Sequence, residues 1–428
     1  MSARPVYLID GARTPFLKAR GKPGPFTPVD LAVQCGRPLL LRQSFAPDVF
    51  NQVILGCVNV IADEMNPARV AALRLGMGEA MTAFTVQINC GSGMQSIDTG
   101  FRYIREGVSD LILAGGAEAL SHAPLVFRHE AVDWFAQLSE AKSLAEKAQS
   151  IARIRPGFFK PLIGLERGLT DPIVELNMGE TAEVLANIFD ISREEADRYA
   201  LESHRRLARA QEEGWLDGEV VAAFSRDGEV FGKDDGVRPD TSMEKLSALQ
   251  PVFEPPWGKV TAGNSSQITD GASWVILASG KALDRHGLEP MAQIIDSEWA
   301  ALDPSIMGLG PVLSSTAILK RHDYSIDDID LWEINEAFAA QIISCLVAWD
   351  NDEFCRDILG LDAVMGRIDR DKLNVEGGAI SLGHPVGTSG NRIVLHLVNA
   401  MRRRGVKRGV ATECIGGGQG GAMLIETV

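Results

Sequence analysis

Short apolar, β-branched runs alternate along this chain with longer stretches in which apolar residues recur at helical spacing. Residues 53–60, 82–89, 109–114, 274–278, 329–334 and 409–413 read as strands, and their alternation with helical stretches predicts α/β layers with helices packed on sheets. The order of features then repeats. The first half offers a strand with Cys57, a strand leading into a glycine-flanked helix start at Cys90, then Asp110-Leu-Ile-Leu-Ala-Gly-Gly-Ala. The second offers Asp330-Leu-Trp-Glu-Ile-Asn, a glycine-rich loop over 377–390 that opens a helix at Arg392, then Gly409-Val-Ala-Thr-Glu-Cys-Ile-Gly-Gly-Gly. This is the pattern of an internal duplication whose halves turn their loops toward one shared site.

Residues 121–248 depart from the pattern, being more helical and more charged, with amphipathic segments at 181–189 and 193–213. Ser192-Arg193-Glu194-Glu195 is a capping-box signature for a helix beginning at residue 193. The expected organisation is an N-terminal half over 1–120 and 249–280, an inserted loop domain over 121–248, and a C-terminal half over 281–428. A chain of 428 residues with 45% hydrophobic and 23% charged residues is long and apolar enough to bury such cores.

Charge and cysteine usage narrow the function classes. A net charge of −15 argues against nucleic acid as a partner, since phosphates need a clustered basic face. One local exception is 141–168, where Lys142, Lys147, Arg153, Arg155, Lys160 and Arg167 stand against Glu146 and Glu166. That stretch is either a solvated helix face or a dock for a phosphorylated ligand, an acidic partner subunit or a membrane surface. No apolar run reaches the roughly 18 residues of a transmembrane helix, and the N-terminus enters an apolar strand without an export signal. The cysteines at 35, 57, 90, 345, 355 and 414 show no CxxC pairing, which argues against a disulfide scaffold or a metal site and for reduced thiols in a cytoplasm-like compartment.

Cys90 ends a strand-like run and is followed at once by Gly91-Ser92-Gly93, so its thiol is expected at a helix N-terminus, where backbone N–H groups favour the thiolate. A buried structural cysteine is the bland alternative. Two further glycine-wrapped residues speak against it: His384 in Gly383-His384-Pro385-Val386-Gly387, and Cys414 in Cys414-Ile415-Gly416-Gly417-Gly418. His384 taken alone has a turn organiser as its lesser alternative, and Asn335 in Asn335-Glu336-Ala337-Phe338-Ala339 reads equally as the N-cap of a helix. Cys35, Cys57, Cys345 and Cys355 lack such surroundings and are assigned to packing.

Taken together, these motifs, in this order and from Gly11-Ala-Arg-Thr-Pro-Phe to the C-terminus, resemble the thiolases, which cleave 3-ketoacyl-CoA or condense two acyl-CoA molecules. The resemblance implies the thiolase fold, a duplicated five-layer αβαβα with an inserted helical loop domain. It implies Cys90 as acyl-holding nucleophile, His384 as its activator and Cys414 as acid/base at the α-carbon. One oxyanion site would be His384 with a water held by Asn335, and the other the backbone N–H groups of Cys90 and Gly416. Coenzyme A is implied as cosubstrate, with no tightly bound cofactor. Ser266 in Thr261-Ala262-Gly263-Asn264-Ser265-Ser266 resembles the pantetheine-contacting serine, and Arg238 and Ser242 resemble adenine-nucleotide contacts. Met178 in Asn177-Met178-Gly179-Glu180 lies in the segment beside the thioester, while Met307 and Phe338 resemble acyl-pocket walls.

The long stretch over 128–168 and a second addition over 350–371 resemble the branch serving multienzyme β-oxidation complexes, which brings a hydratase/dehydrogenase partner subunit into view. Asn335 and Cys414-Ile-Gly-Gly-Gly instead resemble the generic thiolases, which assemble as homodimers or homotetramers. Two other readings are a condensing enzyme of fatty-acid or polyketide synthesis, which Cys414 opposes, and a noncatalytic lipid- or acyl-CoA-binding relative, which the presence of Cys90, His384 and Cys414 together opposes.

Overall fold

The structure, a computed structural model, describes residues 4–428. β1 (Val6–Arg13) is followed by α1 (Pro28–Leu41), β2 (Gln52–Gly56), α2 (Pro67–Arg74), β3 (Thr82–Val86), α3 (Ser92–Arg105) and β4 (Leu111–Ala119). An insertion then carries α4 (His129–Glu140), α5 (Leu144–Ala152), α6 (Met178–Ile188) and α7 (Arg193–Glu212), and the chain rejoins the sheet at β5 (Thr269–Ser279). The second half runs β6 (Ala292–Ala301), α8 (Gly310–Arg321), β7 (Leu331–Ile334), α9 (Ala339–Trp349), α10 (Val386–Arg404), β8 (Arg408–Ile415) and β9 (Gln419–Thr427).

The strands hydrogen-bond in the order β7-β8-β9-β6-β1-β5-β4-β2-β3. The β1–β6 junction is short, from Val6 opposite Ile294 to Leu8 opposite Ala292. Divided there, the halves match. From β1 outward come the last, next-to-last, second and third strands of the first half, with the senses antiparallel, antiparallel, parallel and parallel. From β6 outward, β9, β8 and β7 repeat that order and those senses, and a lone parallel bridge from Trp332 to Leu373 stands where the fifth strand would be. The duplication read from the sequence is therefore written in the sheet order.

Three cores make five layers. α3 and α10 lie between the sheets, where Met94, Ile97, Ile393 and Leu397 share a core with Ile112, Val275, Ile294 and Met423 of both halves. Outside the first half, Leu31, Leu39 and Ala71 of α1 and α2 pack over Leu113, Trp274 and Ile276. Outside the second, Val312, Ile318 and Ile342 of α8 and α9 pack over Trp332, Val410 and Leu424, joined by Leu185, Ala196 and Tyr199 of the insertion. Strands covered on both faces need near-continuous apolar runs, and every residue of β4 and β5 is buried. Each such buried aliphatic side chain contributes about 1.5–3 kcal/mol.

Several expected boundaries shift for physical reasons. The strand expected over 53–60 stops at Gly56, leaving Cys57 beyond its end, because the N–H groups of Val58 and Asn59 turn to the Glu118 carboxylate. The strand over 82–89 stops at Val86, since Asn89 adopts a left-handed φ of 45° that extended chain does not allow. The helix expected at Arg392 begins six residues earlier, at Val386. Its glycines are helical, and they are there for contact. A Cβ on Gly93 of α3 would lie 2.7 Å from Asn391 N and 2.9 Å from Thr388 O, and one on Gly390 would lie 2.6 Å from Met94 N. The first turns of α3 and α10 thus touch backbone to backbone. The capping box at Ser192 starts α7 as expected.

Candidate active site

Cys90 is half-buried one residue before Gly91, the N-cap of α3. The left-handed Asn89 before it reverses the chain, and the Asn89 side chain donates to Gly416 O at 2.8 Å, tying the end of β3 to the loop after β8. The backbone N–H groups of Gly416 and Cys90 both reach the Cys90 sulfur. Gly416 to Gly418 make this approach possible, with Gly417 and Gly418 at φ of 92° and 76°. Cys90, Met178, Gly416 and Gly417 line a mainly apolar cavity of 570 Å³, closed further out by Leu165, Leu169 and Ile173 of the insertion.

Cys414 lies at the end of β8, buried among Met307 and Ala337, with Met178 and Phe338 against them. The two residues expected to wall the acyl group, Met307 and Phe338, and Met178 of the segment expected beside the thioester therefore surround the second sulfur. Phe338 is fixed edge-on to Phe253, with centroids 6.4 Å apart.

His384 follows Gly383, whose φ of 110° no other residue adopts easily, and its N–H donates to Gln267 O at 2.9 Å. Its Nδ1 is 2.6 Å from Ser389 Oγ, which itself faces Pro385 O at 3.4 Å. With Ser389 donating to that carbonyl, Nδ1–H donates to Ser389, and Nε2 is left buried with a free lone pair. Asn335 follows β7 and is fully buried, with neither its Oδ1 nor its Nδ2 partnered. It is not a helix cap: α9 begins at Ala339 with Phe338 at its N-cap. A buried amide with no protein partner and a lone-pair imidazole nitrogen are the groups a substrate oxygen or bound water would satisfy.

The electrostatics correct one expectation. Helix-start N–H groups were expected to favour the Cys90 thiolate; burial and then Glu413 instead push the thiol up to about 12, against the lowering effect of the N–H groups of Gly416 and of Cys90 itself. Burial, then Cys90 itself, raises Cys414 well above the ordinary thiol value. Burial, then Arg392, lowers His384 to about 4. At rest Cys90 and Cys414 are thus thiols and His384 a neutral imidazole, so a sulfur must lose its proton during reaction, not before it.

Several positioning groups carried no sequence signal. Glu118 accepts from the N–H groups of Val58, Asn59 and Gly387 at 2.9–3.0 Å, holding the cavity wall to the first turn of α10. Burial raises Glu118 to about 7. Glu336, next to Asn335, accepts from Tyr199, Ser203, Asn374 and the Ile380 N–H. Glu413 points away from Cys414 into the helical middle layer, fully buried with both oxygens unpaired, and burial raises it well above the usual carboxylate range. The four cysteines assigned to packing are all buried, and three of them donate to main-chain carbonyls: Cys35 to Ala12, Cys345 to Gly308 and Cys355 to Trp349.

The residues expected to contact coenzyme A divide. Ser266 donates its N–H to Ala337 O at 2.9 Å and so stands beside Phe338. Arg238 belongs to a segment drawn toward the same loop by Gln267 Nε2, which donates to Gly236 O at 2.8 Å. Ser242 makes neither link. Its hydroxyl accepts from Lys245 N as the cap of a short helix over Met243–Ser247.

Known proteins share this architecture. The family model for the thiolase N-terminal domain matches residues 6–281, and that for the thiolase C-terminal domain matches 288–427. The chain is similar to a mitochondrial 3-ketoacyl-CoA thiolase of Bos taurus, 38% identical over 99% of this chain and 98% of that protein. It is similar to the mitochondrial trifunctional enzyme subunit beta of the same organism, 37% identical over 99% and 88%. A crystal structure of human mitochondrial 3-ketoacyl-CoA thiolase in complex with CoA superposes with a TM-score of 0.85 at 37% identity, covering 99% of this chain and 98% of that one. Sheet order, paired cysteines and matching family domains agree: the chain belongs to the thiolase family and is an acyltransferase enzyme.

Proposed function

We propose that this thiolase uses Cys90, His384 and Cys414 to cleave 3-ketoacyl-CoA with coenzyme A into acetyl-CoA and a shortened acyl-CoA, and to run the reverse condensation. The observation that carries the reading is a set of unsatisfied buried polar atoms at the expected positions: His384 Nε2 and both amide atoms of Asn335 are buried without partners, and Cys90 shares the lining of one cavity with Val386, two residues after His384. His384 Nε2 takes the Cys90 proton as the sulfur attacks the 3-keto carbon. The C2–C3 bond breaks, its electron pair leaves on C2 as the enolate of acetyl-CoA, and Cys414 gives C2 a proton. The imidazolium returns its proton to the Cys414 thiolate. His384 then takes the thiol proton of incoming coenzyme A as that sulfur attacks the acyl carbon, and Cys90 leaves as a thiolate that recovers the proton. The N–H groups of Cys90 and Gly416 hold the thioester oxygen, and His384 with a water on Asn335 holds the enolate oxygen.

Coenzyme A would reach the sulfurs past Ser266, with Met178, Met307 and Phe338 against the acyl group and Arg238 toward the nucleotide; Ser242 is the weakest member of this set, since its hydroxyl is engaged. The mainly apolar 570 Å³ cavity favours substrates with more than the two-carbon tail. We further propose a homodimer or homotetramer, a reducing cytoplasm-like compartment suited to six free cysteines, and a hydratase/dehydrogenase partner subunit, which the name of one relative, a trifunctional enzyme subunit beta, supports to the extent that it is one subunit of several. The test is thiolysis of a chain-length series of 3-ketoacyl-CoA with free coenzyme A. Matched acetyl-CoA formation supports the proposal, and no turnover at any length favours a noncatalytic acyl-CoA binder.

A further inference from the structure

Beside Arg238 the fold gathers cations that the sequence scatters. After β1 the chain runs as a two-residue strand, Leu17–Lys18, along the start of β5, with Lys18 opposite Thr269 and the Ala19 N–H donating to Ile268 O at 2.9 Å. The insertion returns against this same stretch. Asp234 accepts from Arg13 at 2.7 and 2.9 Å and from Phe16 N at 2.7 Å, while Asp235 accepts from Lys18 N at 2.6 Å and from Arg20 Nη2 at 3.0 Å. Arg238, three residues on and half-buried, is tethered separately, its N–H donating to Nδ1 of the buried His204 of α7 at 3.2 Å.

Three cations thus meet around one carboxylate. Burial and then Arg238 lower the Lys18 pKa, Arg20 adds to the lowering and only Asp235 opposes it, so the three positive groups are close enough to repel. Among the described residues neither the Lys18 ammonium nor the Arg238 guanidinium has an ion-pair partner: in chain order the pairs pass from Arg13–Asp234 directly to Arg20–Asp235, and from Arg206–Asp371 directly to Lys245–Asp240. The nearest further acid on that segment, Asp240, is therefore engaged. Like charges fixed together in this way are relieved by an anion bound between them, and a chain of net charge −15 needs such a local patch to hold one.

Place decides which anion. Thr269, opposite Lys18, follows Ser266 by three residues, about 10 Å of extended chain at most. Gln267, next to Ser266, holds Gly236 at 2.8 Å, two residues before Arg238. None of the three cations lines the Cys90 cavity, so they face something other than the acyl tail. Arg20, whose side chain is 68% exposed, marks the outer end of the cluster. Of the anionic groups on coenzyme A, the 3′-phosphate lies farthest from the thiol. Resting on the reading that coenzyme A passes Ser266, we propose that Lys18, Arg20 and Arg238 form a cradle for that 3′-phosphate and make the enzyme prefer coenzyme A to its 3′-dephospho form.

Isothermal titration calorimetry of the full-length protein with coenzyme A and with 3′-dephospho-CoA tests the cradle. The Kd for the dephospho form is expected about tenfold or more above that for coenzyme A, from two or three charge-assisted contacts at partly exposed positions. K18A/R20A should shrink the gap to about threefold or less by weakening coenzyme A alone. Equal Kd values for the two ligands in the wild type overturn the proposal. So does a K18A/R20A protein that loses affinity for both by the same factor, because its cations would then meet an anion the two ligands share. Binding is read apart from turnover: a protein that cleaves 3-ketoacyl-CoA yet binds both forms alike sinks the cradle alone, and one that shows the preference without turnover sinks thiolysis alone.

Discussion

Truncating Glu336 to alanine is the perturbation that best separates a structured site from a mere collection of residues. Its carboxylate is 1% exposed. Oε1 accepts from Tyr199 Oη and Asn374 Nδ2, each at 2.9 Å, and Oε2 from Ser203 Oγ at 2.7 Å and Ile380 N at 3.3 Å. Those donors come from α7, from the loop before the short helix over Ala379–Leu382, and from that helix itself, which leads straight to Gly383 and His384. Two of the four have other acceptors: Asn374 Nδ2 reaches Ile334 O at 2.9 Å, and Ser203 reaches Ser381 Oγ at 3.0 Å. The Tyr199 O–H and the Ile380 N–H would be left buried without an acceptor, although the Tyr199 oxygen still accepts from Asn374 Nδ2 at 3.1 Å. At roughly 1–3 kcal/mol for each orphaned donor, plus the cavity left by the missing side chain, Glu336→Ala should cost about 3–6 kcal/mol. That is a large part of the typical 5–15 kcal/mol of a folded domain. Urea unfolding followed by tryptophan fluorescence measures it, and kcat should fall at least about tenfold because Asn335 and His384 lose their common tether. An unfolding free energy within about 1 kcal/mol of the wild type, with kcat intact, would refute the claim that Glu336 holds the two halves of the site together.

Mass spectrometry after incubation with a simple acyl-CoA should show an adduct on Cys414→Ala protein but none on Cys90→Ala; an acyl group surviving on the latter sinks the nucleophile assignment. Asn335→Ala and His384→Asn should each lower kcat by about 10²-fold or more while acyl-CoA still protects against heat, and unchanged turnover in either would remove that residue from the oxyanion site. Stability should depend on pH through two histidines of opposite sign. His396, raised to about 9 chiefly by Glu219 against the opposing cost of burial, adds stability that is complete below its ordinary value near 6.5 and is lost as pH rises toward 9. His384, lowered to about 4, adds none in that range, but as pH falls from about 6.5 toward 4 only the unfolded chain gains its proton, so stability drops there too. A His396→Gln variant whose melting temperature falls as steeply as the wild type's between pH 7 and 9 would contradict the first half of this account.

The architecture was largely legible in the sequence because the duplicated halves place the same features in the same order, so one half checks the other. What the sequence obscured follows from contacts remote along the chain. β5 was visible only at its apolar centre, since Thr269, Asp270 and Ser273 look like loop residues yet are buried within the eleven-residue strand. Gly387 and Gly390 read as loop for the same reason: only the nearness of Glu118 and the Cys57–Val58 backbone to the first, and of Glu413 and Met94 of α3 to the second, explains glycine inside a helix. The sulfurs and the imidazole were legible from their glycine surroundings, whereas Glu118, Glu336, Ser389 and Glu413 were not, because a lone buried acid or serine has no local pattern. The ionisation state of Cys90 was misjudged because a helix start is local and readable, while the burial that outweighs it is a property of the whole fold.

Where Gly93 meets Asn391 and Gly390 meets Met94, the two repeats are joined by bare main chain. Elsewhere the repeats differ: one carries a long insertion, and the other has a single bridge where its outermost strand would be. At the crossing no drift is open to either, because any larger residue in one displaces the other, and with it the reacting sulfur a turn away. Substrate preference is thus left to evolve in the insertion and the cavity walls, while the chemistry stays locked at the joint between the copies.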